Sequence, residues 1–368
     1  MNKQVSHIPS GYKPSPLGPI PEDWEVKRLG EVVTVNSGKD YKHLSTGNIP
    51  VYGTGGYMLS VNDRLSDIDA VGIGRKGTID KPQYLRAPFW TVDTLFFLTT
   101  KENYDLRFVF NLSQLVEWKK YSEQTGVPSL TSKSINNIQI AVPPLPEQQR
   151  IVSVLSLWDT AIAKQTALIE KLTLRKRGLM QQLLTGKKRL KGFEGEWKTI
   201  ELGDALSYIQ PTKYLVCNEN YNDSYDTPVL TAGKTFILGY TNEKTGIFDD
   251  FPAIIFDDFT TESKYVSFPF KAKSSAMKIL KAKDSNLYYM FCVMQIIKYS
   301  IGGHERNWIS KYSHLTIKAP SIEEQNAIAF TLINADKEIE IQKQKLAAMQ
   351  EQKRGLMQVL LTGKKRIK

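Results

Sequence analysis

KRGLMQQLLTGKKRL, from Lys176 to Leu190, returns as KRGLMQVLLTGKKRI from Lys353 to Ile367, with thirteen of fifteen positions identical at an offset of 177 residues. The register runs upstream without a gap: Glu147-Gln148-Gln149 falls on Glu324-Gln325-Asn326, and Ile151 on Ile328. Similarity at this level marks an internal duplication. From Ile151, residues at alternating spacings of four and three are Ile151, Leu155, Trp158, Ile162, Gln165, Ile169, Leu172, Lys176, Leu179 and Leu183. The second copy reads Ile328, Leu332, Ala335, Ile339, Gln342, Leu346, Met349, Lys353, Leu356 and Leu360. Eight of the ten are apolar in each copy, and the polar exceptions recur in the same places. A sustained 3.5-residue repeat is the seam of a coiled coil. Prolines 143, 144 and 146, and Pro320, are expected to close the preceding segments, with Glu147 or Glu323-Glu324 at the positive helix start. Gly186 and Gly363 are C-cap candidates, and the Lys-Lys-Arg beyond each complements the negative end. Each helix is then about 38 residues, or roughly 57 Å at 1.5 Å per residue.

Each helix packs either on its own domain alone or on the other helix. Pairing is preferred, and antiparallel pairing in particular, because it relates the repeats by a pseudo-twofold axis and places the globular domains at opposite ends. Polar seam residues such as Gln165 and Gln342 fix the register at some cost in stability.

The 368 residues suffice for two or three ordinary domains, and 41% hydrophobic with 24% charged residues is normal for globular protein. No apolar run approaches the roughly 18 residues of a membrane span, so no membrane partner is expected. The start, MNKQVSHIPSGYKPSPLGPIPEDW, lacks an apolar stretch and reads as an irregular arm rather than a signal peptide. Two cysteines, Cys217 and Cys292, argue against a disulfide scaffold and for a cytoplasmic compartment. A net charge of +11 favours a polyanionic partner, for which nucleic acid is taken ahead of the weaker reading, an anionic membrane surface.

Ahead of each helix lies a domain whose ends match: Trp24–Gly30 against Trp197–Gly203, and INNIQIAVPPLPEQQ against SHLTIKAPSIEEQ. Between them lie short β-type runs at Ile49–Tyr52, Ala70–Ile73, Leu95–Leu98 and Ile138–Val142, then at Val229–Thr231, Ala253–Phe256, Ala276–Leu280 and Leu315–Lys318. A helical stretch interrupts each set, near Leu106–Trp118 and Leu287–Tyr299. The fold class is α+β: two globular α+β domains of one fold, separated by two long helices forming an antiparallel coiled coil, as a pseudo-twofold tandem repeat. Boundaries fall at 1–146 for the first domain, 147–186 for the first helix, 187–322 for the second domain and 323–368 for the second helix.

With this arrangement the chain resembles the specificity subunits of type I restriction-modification systems. The resemblance covers the whole chain and rests on the P-x-x-EQ-x-x-I helix opening at Pro144–Ile151, its less regular counterpart Pro320–Ile328, the paired RGLMQ-x-LLTGKKR ends, and W-x-x-x-x-LG at Trp24 and Trp197. It implies that each variable domain is a target-recognition domain reading one half of an interrupted double-stranded DNA sequence. It further implies that the helices set the half-site spacing and bind two methyltransferase subunits. Catalysis would belong to those and to restriction/translocase subunits, with S-adenosylmethionine, ATP and magnesium bound there and no cofactor in this chain. Half-sites on one face of B-DNA lie about one turn apart, roughly 34 Å, a span that helices of the derived length suit.

Candidate DNA contacts follow from residue chemistry. Arg75 and Lys76 lie in the basic glycine-rich stretch Gly72–Thr78, where the backbone can approach phosphate and Arg75 can grip guanine or phosphate with both arms; an ordinary solvent-facing hairpin fits that stretch equally well. Lys39, Tyr41 and Lys42 with Thr54 and Tyr57 form a second loop cluster. In the second domain the candidates are Lys234, Thr235, Lys264, Arg306 and Asn307, arginine suiting guanine and asparagine adenine, while Trp308 is either a neighbour of that site or a core residue closing its loop. Lys164, Lys171, Arg175 and Arg177 read as a solvated helix face, and apolar residues off the seam, Leu174, Met180, Leu184, Met357 and Leu361, as a partner interface.

Histidines 7, 43, 304 and 314 and the cysteines show no zinc spacing, and no phosphate-binding loop or dinucleotide fingerprint occurs. Asp257-Asp258 with Glu262 and Lys264 hold the residue types of a magnesium-dependent nuclease, but the spacing is very short. A metal-dependent nuclease acting through the second domain, and a coiled-coil scaffold with no DNA role, are the alternatives to a non-catalytic DNA-specificity subunit.

Overall fold

The computed structural model describes residues 8–122, 126–233, 235–299 and 307–367. The chain divides into two compact units, Met1–Thr166 with Gln344–Lys368, and Ala167–Lys343. Two 39-residue helices, Leu145–Leu183 and Ile322–Leu360, each contribute to both. Pro146 lies in the first turn of its helix rather than ahead of it, where a missing N–H forfeits no helical bond.

In the first unit a four-stranded antiparallel sheet has the order Val33–Ser37, Leu95–Thr100, Ala70–Gly74, Gln83–Leu85. Along Leu95–Leu98 the side chains alternate between two cores: Leu95 and Phe97 join Val51, Phe89 and Trp90, while Phe96 and Leu98 join Trp24, Phe108 and the helices. Burial on both faces explains why the two central strands, Ala70–Gly74 and Leu95–Leu98, read as unbroken apolar runs. A three-stranded sheet places Thr46–Gly53 between antiparallel Gly56–Val61 and parallel Trp90–Thr91. Glu25–Arg28 pairs with Gln139–Val142, so both ends of the domain meet in one ladder. The expected irregular arm is ordered here: Tyr12–Lys13 pairs with Ile20–Pro21, and Ile20 is a core residue.

Apart from the Tyr12–Lys13 and Ile20–Pro21 pair, the second unit repeats this topology sheet for sheet. Leu206–Ile209, Met277–Ala282, Ala253–Asp257 and Ser263–Val266 form the four-stranded sheet. Thr227–Leu230 lies between antiparallel Ile237–Thr241 and parallel Lys271–Ala272, and Lys198–Glu201 pairs with Thr316–Ala319. Every β-run expected from sequence overlaps a strand. The helices are shorter than expected, Leu106–Ser113 and Leu287–Ile296, capped by Asp105 and Asn286.

Within each unit the two helix segments run antiparallel. In the first, Ile151, Leu155, Met357, Leu360 and Leu361 share one core, and Lys353 Nζ donates to Asp159. In the second, Leu183, Leu184, Ile328 and Leu332 share one core, and Lys176 Nζ donates to Asp336. These are equivalent pairs, so each polar break in the seam at Lys176 and Lys353 is an ion pair across the helices. The remaining seam positions, Trp158, Ile162, Gln165, Ile169, Leu172, Leu179, Ile339, Gln342, Leu346, Met349 and Leu356, are buried or half-buried. Lys164, Lys171, Arg175 and Arg177 are exposed. The partner-interface expectation needs correction: Leu184, Met357 and Leu361 are buried because a globular domain covers a second face of the helix end. Met180 is half-buried, and Leu174 is 67% exposed.

The duplicated motif residues act as clamps. Gln148 accepts from Asp105 N (2.9 Å) and donates to Pro143 O (2.9 Å); Gln325 does the same with Asn286 N (3.0 Å) and Pro320 O (3.0 Å). Glu147 is buried and accepts from Trp24 Nε1 (3.0 Å) and from both arms of Arg366 (2.6 and 3.2 Å). Glu324 takes Arg189 likewise (2.6 and 3.0 Å). Instead of complementing the dipole of its own helix, each arginine of the Gly-Lys-Lys-Arg tail thus reaches a carboxylate at the start of the other helix. Gly186 and Gly363 cap the helices at φ +69° and +72°; a Cβ on Gly363 would lie 2.6 Å from Pro21.

Of the two free cysteines, Cys217 is exposed and Cys292 buried, and burial pushes the Cys292 thiol up to about 12. Thiol labelling near pH 8 should modify Cys217 at once and Cys292 only after unfolding. Arg366→Met should cost about 2–3 kcal/mol by leaving the Glu147 carboxylate without its charged partner, and Arg189→Met should act on the second unit similarly. A drop in denaturation midpoint no larger than that of a surface substitution such as Arg177→Met would refute the clamp.

Candidate nucleic-acid interface

At the three-stranded sheet of the first unit, three loops meet. The hairpin joining Thr46–Gly53 to Gly56–Val61 turns through Thr54-Gly55, with Gly56 at φ +111°. Beside it run the loop after Ser37 and the turn Val92-Asp93-Thr94. They enclose an open cavity of about 620 Å³ lined by Asp40, Tyr41, Lys42, Thr54, Tyr57, Met58 and Asp93, among others. The backbones are cross-tied: Lys39 N donates to Thr91 O (2.9 Å), Val92 N to Tyr52 O (3.0 Å), Trp90 Nε1 to Lys39 O (2.9 Å), and Gln83 Nε2 to Gly53 O (2.8 Å). A Cβ on Gly38 would lie 2.0 Å from Val92 O, so only glycine lets the first loop approach the turn. Tyr41, Lys42, Thr54 and Tyr57, grouped from sequence, share this cavity, with Lys39 exposed at its edge. Asp40, Met58, Asp93 and Thr94 were missed. Asp93 and Thr94 follow the two-residue strand Trp90–Thr91, whose parallel pairing leaves no periodic trace.

Arg75 and Lys76 follow the strand Ala70–Gly74 and are exposed. Their turn is no free hairpin: Arg75 N donates to Thr94 O (2.7 Å), Leu130 N to Arg75 O (2.9 Å), and Gly77 N to Pro128 O (2.9 Å). The bond to Thr94 joins this turn to the cavity wall, so both basic clusters of the first domain meet there. The Arg75 guanidinium lies over the Phe96 ring, 5.7 Å from its centroid. Among the described residues Lys39, Lys42, Arg75 and Lys76 form no ion pair, leaving four cations on this side of the unit for a polyanion.

Equivalent positions of the second unit are built differently. The ladders align Gly74 with Asp257, Ile73 with Phe256 and Phe96 with Lys278, which puts Asp258 where Arg75 stands. Asp258 and Lys278 are both buried and form an ion pair (3.4 Å); Gln210 also accepts from Lys278 (2.7 Å), and Trp308 N donates to Asp258 (2.8 Å). Asp257 accepts from Phe259 N and Thr260 N in a turn. These bonds occupy the aspartates of the nuclease-like segment, and among the described residues no three metal-binding side chains converge. Two lysines at the three-stranded sheet of this unit are paired: Lys271 with Glu243 (2.9 Å), and Lys273 with Glu219, a contact that holds the Glu219 carboxyl below its usual range.

Of the contacts expected in this domain, Thr235 is exposed and Lys264 half-buried in the strand Ser263–Val266. Lys234 and Arg306 lie outside the described residues. Asn307 is corrected: it is buried, and its side-chain amide donates to Asp258 O (3.0 Å) and Phe259 O (3.3 Å), so it ties loops together rather than meeting bases. Trp308 is a core residue against Phe256 and Tyr312. Asn307→Ala should therefore destabilise the second unit by about 1–3 kcal/mol in thermal or denaturant unfolding; an unchanged midpoint would return Asn307 to the list of surface readers.

Residues 21–174 and 194–351 match the model of the type I restriction modification DNA specificity domain. The chain is 49% identical to the EcoR124I/EcoR124II specificity subunit of Escherichia coli over 148 residues, a match spanning 38% of this chain and 36% of that protein's length. To the putative type I restriction enzyme MjaX specificity subunit of Methanocaldococcus jannaschii it is 26% identical across 97% of each chain. The crystal structure of a type I restriction-modification S subunit from M. genitalium has the same fold, with TM-score 0.61 at 14% identity over 92% of this chain and 96% of that one. A structure from a study of type I complex assembly and conformational transition follows at TM-score 0.57 and 15% identity, covering 94% and 99%. With the family model matched twice and the fold shared over nearly its whole length, the chain belongs to the family of type I restriction modification DNA specificity proteins.

Proposed function

We propose that this chain is the specificity subunit of a type I restriction-modification complex, a cytoplasmic, non-catalytic protein that binds double-stranded DNA at a bipartite site. One observation carries the reading: two domains of identical topology present different side chains at matching loops. Arg75 over Phe96 in one becomes the Asp258–Lys278 pair in the other. A scaffold needs no such divergence, whereas two readers of unequal half-sites require it. Lys39, Lys42, Arg75 and Lys76 contact phosphates or guanine, and loop side chains at the cavity meet base edges in the major groove.

The long helices set the distance between half-sites and bind two methyltransferase subunits, with Leu174 on the exposed face available to them. Restriction/translocase subunits join through that complex. S-adenosylmethionine, ATP and magnesium serve those partners. Methylome sequencing of a host expressing this chain with its methyltransferase should give an interrupted motif with two unequal halves. Exchanging residues up to Pro143 for the first domain of another family member should change one half only. A continuous motif, or both halves changing together, would overturn the proposal.

A further inference from the structure

Tyr57 and Met58, at the hairpin tip of the first unit, are 63% and 50% exposed, and Ile237 and Leu238 in the second are 37% and 40% exposed. Strand register makes the two sites equivalent. Tyr52 pairs with Thr91 in parallel and faces Tyr57; Leu230 pairs with Ala272 in parallel and faces Ile237. Neighbouring strand residues point to opposite faces, so two consecutive exposed apolar side chains mean that the strand end projects beyond both cores. Scattered apolar residues at a surface are ordinary. The same pair at the same place in both copies, with different side chains, is a built feature.

What such a pair meets follows from its surroundings. Tyr57 and Met58 line a cavity whose own charged residues are Asp40, Lys42 and Asp93. Lys39 at its edge and Arg75 and Lys76 on the turn bonded to Thr94 bring the cations to four against these two carboxylates, so a polyanion is the occupant that suits the charge. In the DNA major groove the only apolar group is the 5-methyl of thymine. We infer that Tyr57-Met58 and Ile237-Leu238 are the specificity-determining thymine readers of the two units, each packing against 5-methyl groups in its own half-site. This rests on the DNA-reading role proposed above. Packing on a methyl suits the geometry better than wedging between bases: the Tyr57 hydroxyl bonds Ser60 Oγ on its own strand (3.2 Å), and the ring packs edge-on against Tyr52 (6.5 Å). Both contacts hold the ring along the hairpin.

The test uses the full chain with its partner subunits, on duplexes carrying the site found by methylome sequencing, with each thymine in turn replaced by deoxyuridine. Removal of one contacted methyl should weaken wild-type binding about fourfold, the value of one buried carbon group. For the double variant Tyr57→Ser, Met58→Ser the thymine-to-uracil affinity ratio should fall to about one in one half-site only. Ile237→Ser, Leu238→Ser should do the same in the other. Melting temperatures of both variants check that the fold persists. Wild-type indifference to every uracil, or variants that keep the wild-type ratio, would overturn the inference while leaving DNA binding intact. Brightening of 2-aminopurine at the half-site without uracil sensitivity would replace it with a wedge. Loss of partner subunits from a variant that keeps the wild-type ratio would make the pair a protein contact. Absence of any sequence-specific binding by the wild-type complex would remove the DNA-reading role itself.

Discussion

A carboxylate withdrawn from water at the start of each long helix needs a cation with matching geometry, and in both units that cation comes from far along the chain. Glu147 and Arg366 stand 219 residues apart, Glu324 and Arg189 135. Leaving either glutamate alone would bury an uncompensated charge, at a cost well above that of a lost surface contact. The first domain therefore closes its core with the tail of the second helix, and the second domain with the tail of the first. Tails that serve each other's sockets must both fit a glutamate with a tryptophan near it. Trp24 lies against Gly363 in one unit and Trp197 against Gly186 in the other. This exchange gives a physical reason for thirteen of fifteen tail positions to agree between the copies.

The helices were legible in sequence because their constraint is local and periodic. A seam repeating every 3.5 residues, glycines beyond the last apolar turn, and lysines recurring at one seam position all have single-residue signatures. The destination of each tail arginine was not legible, since nothing at Arg189 or Arg366 names a partner at such separation. The same limit explains Leu184, Met357 and Leu361. They lie off the seam, and only the docked domain turns a narrow apolar stripe into a wide one.

Within the domains, strands buried on both faces announce themselves as apolar runs, whereas the sheet beside the cavity relies on segments such as Trp90–Thr91. Two residues carry no periodicity, and their parallel pairing with Val51-Tyr52 is decided by packing. Hence Lys42 and Tyr57 could be grouped by composition, while Asp93 and Thr94 could not be added. Asn307 shows the opposite error. Asparagine next to arginine in a polar loop has the chemistry of an adenine reader, yet here that chemistry satisfies the carbonyls of Asp258 and Phe259.

Arg75 and Asp258 show how one skeleton carries two different surfaces. At this point the fold demands a contact between the residue after one sheet strand and a side chain on the next, and two chemistries meet that demand. Stacked on Phe96, an arginine keeps its guanidinium edge at the surface, able to hold guanine or phosphate. Aspartate paired with Lys278 withdraws both charges into the interior, where each must stay with the other. Among the described residues the second unit then offers no exposed cation at the place where the first offers Arg75. Specificity here is not transferable position by position between the copies. Aligned backbones share the core contact, and the residues left over from making it are what remain for DNA.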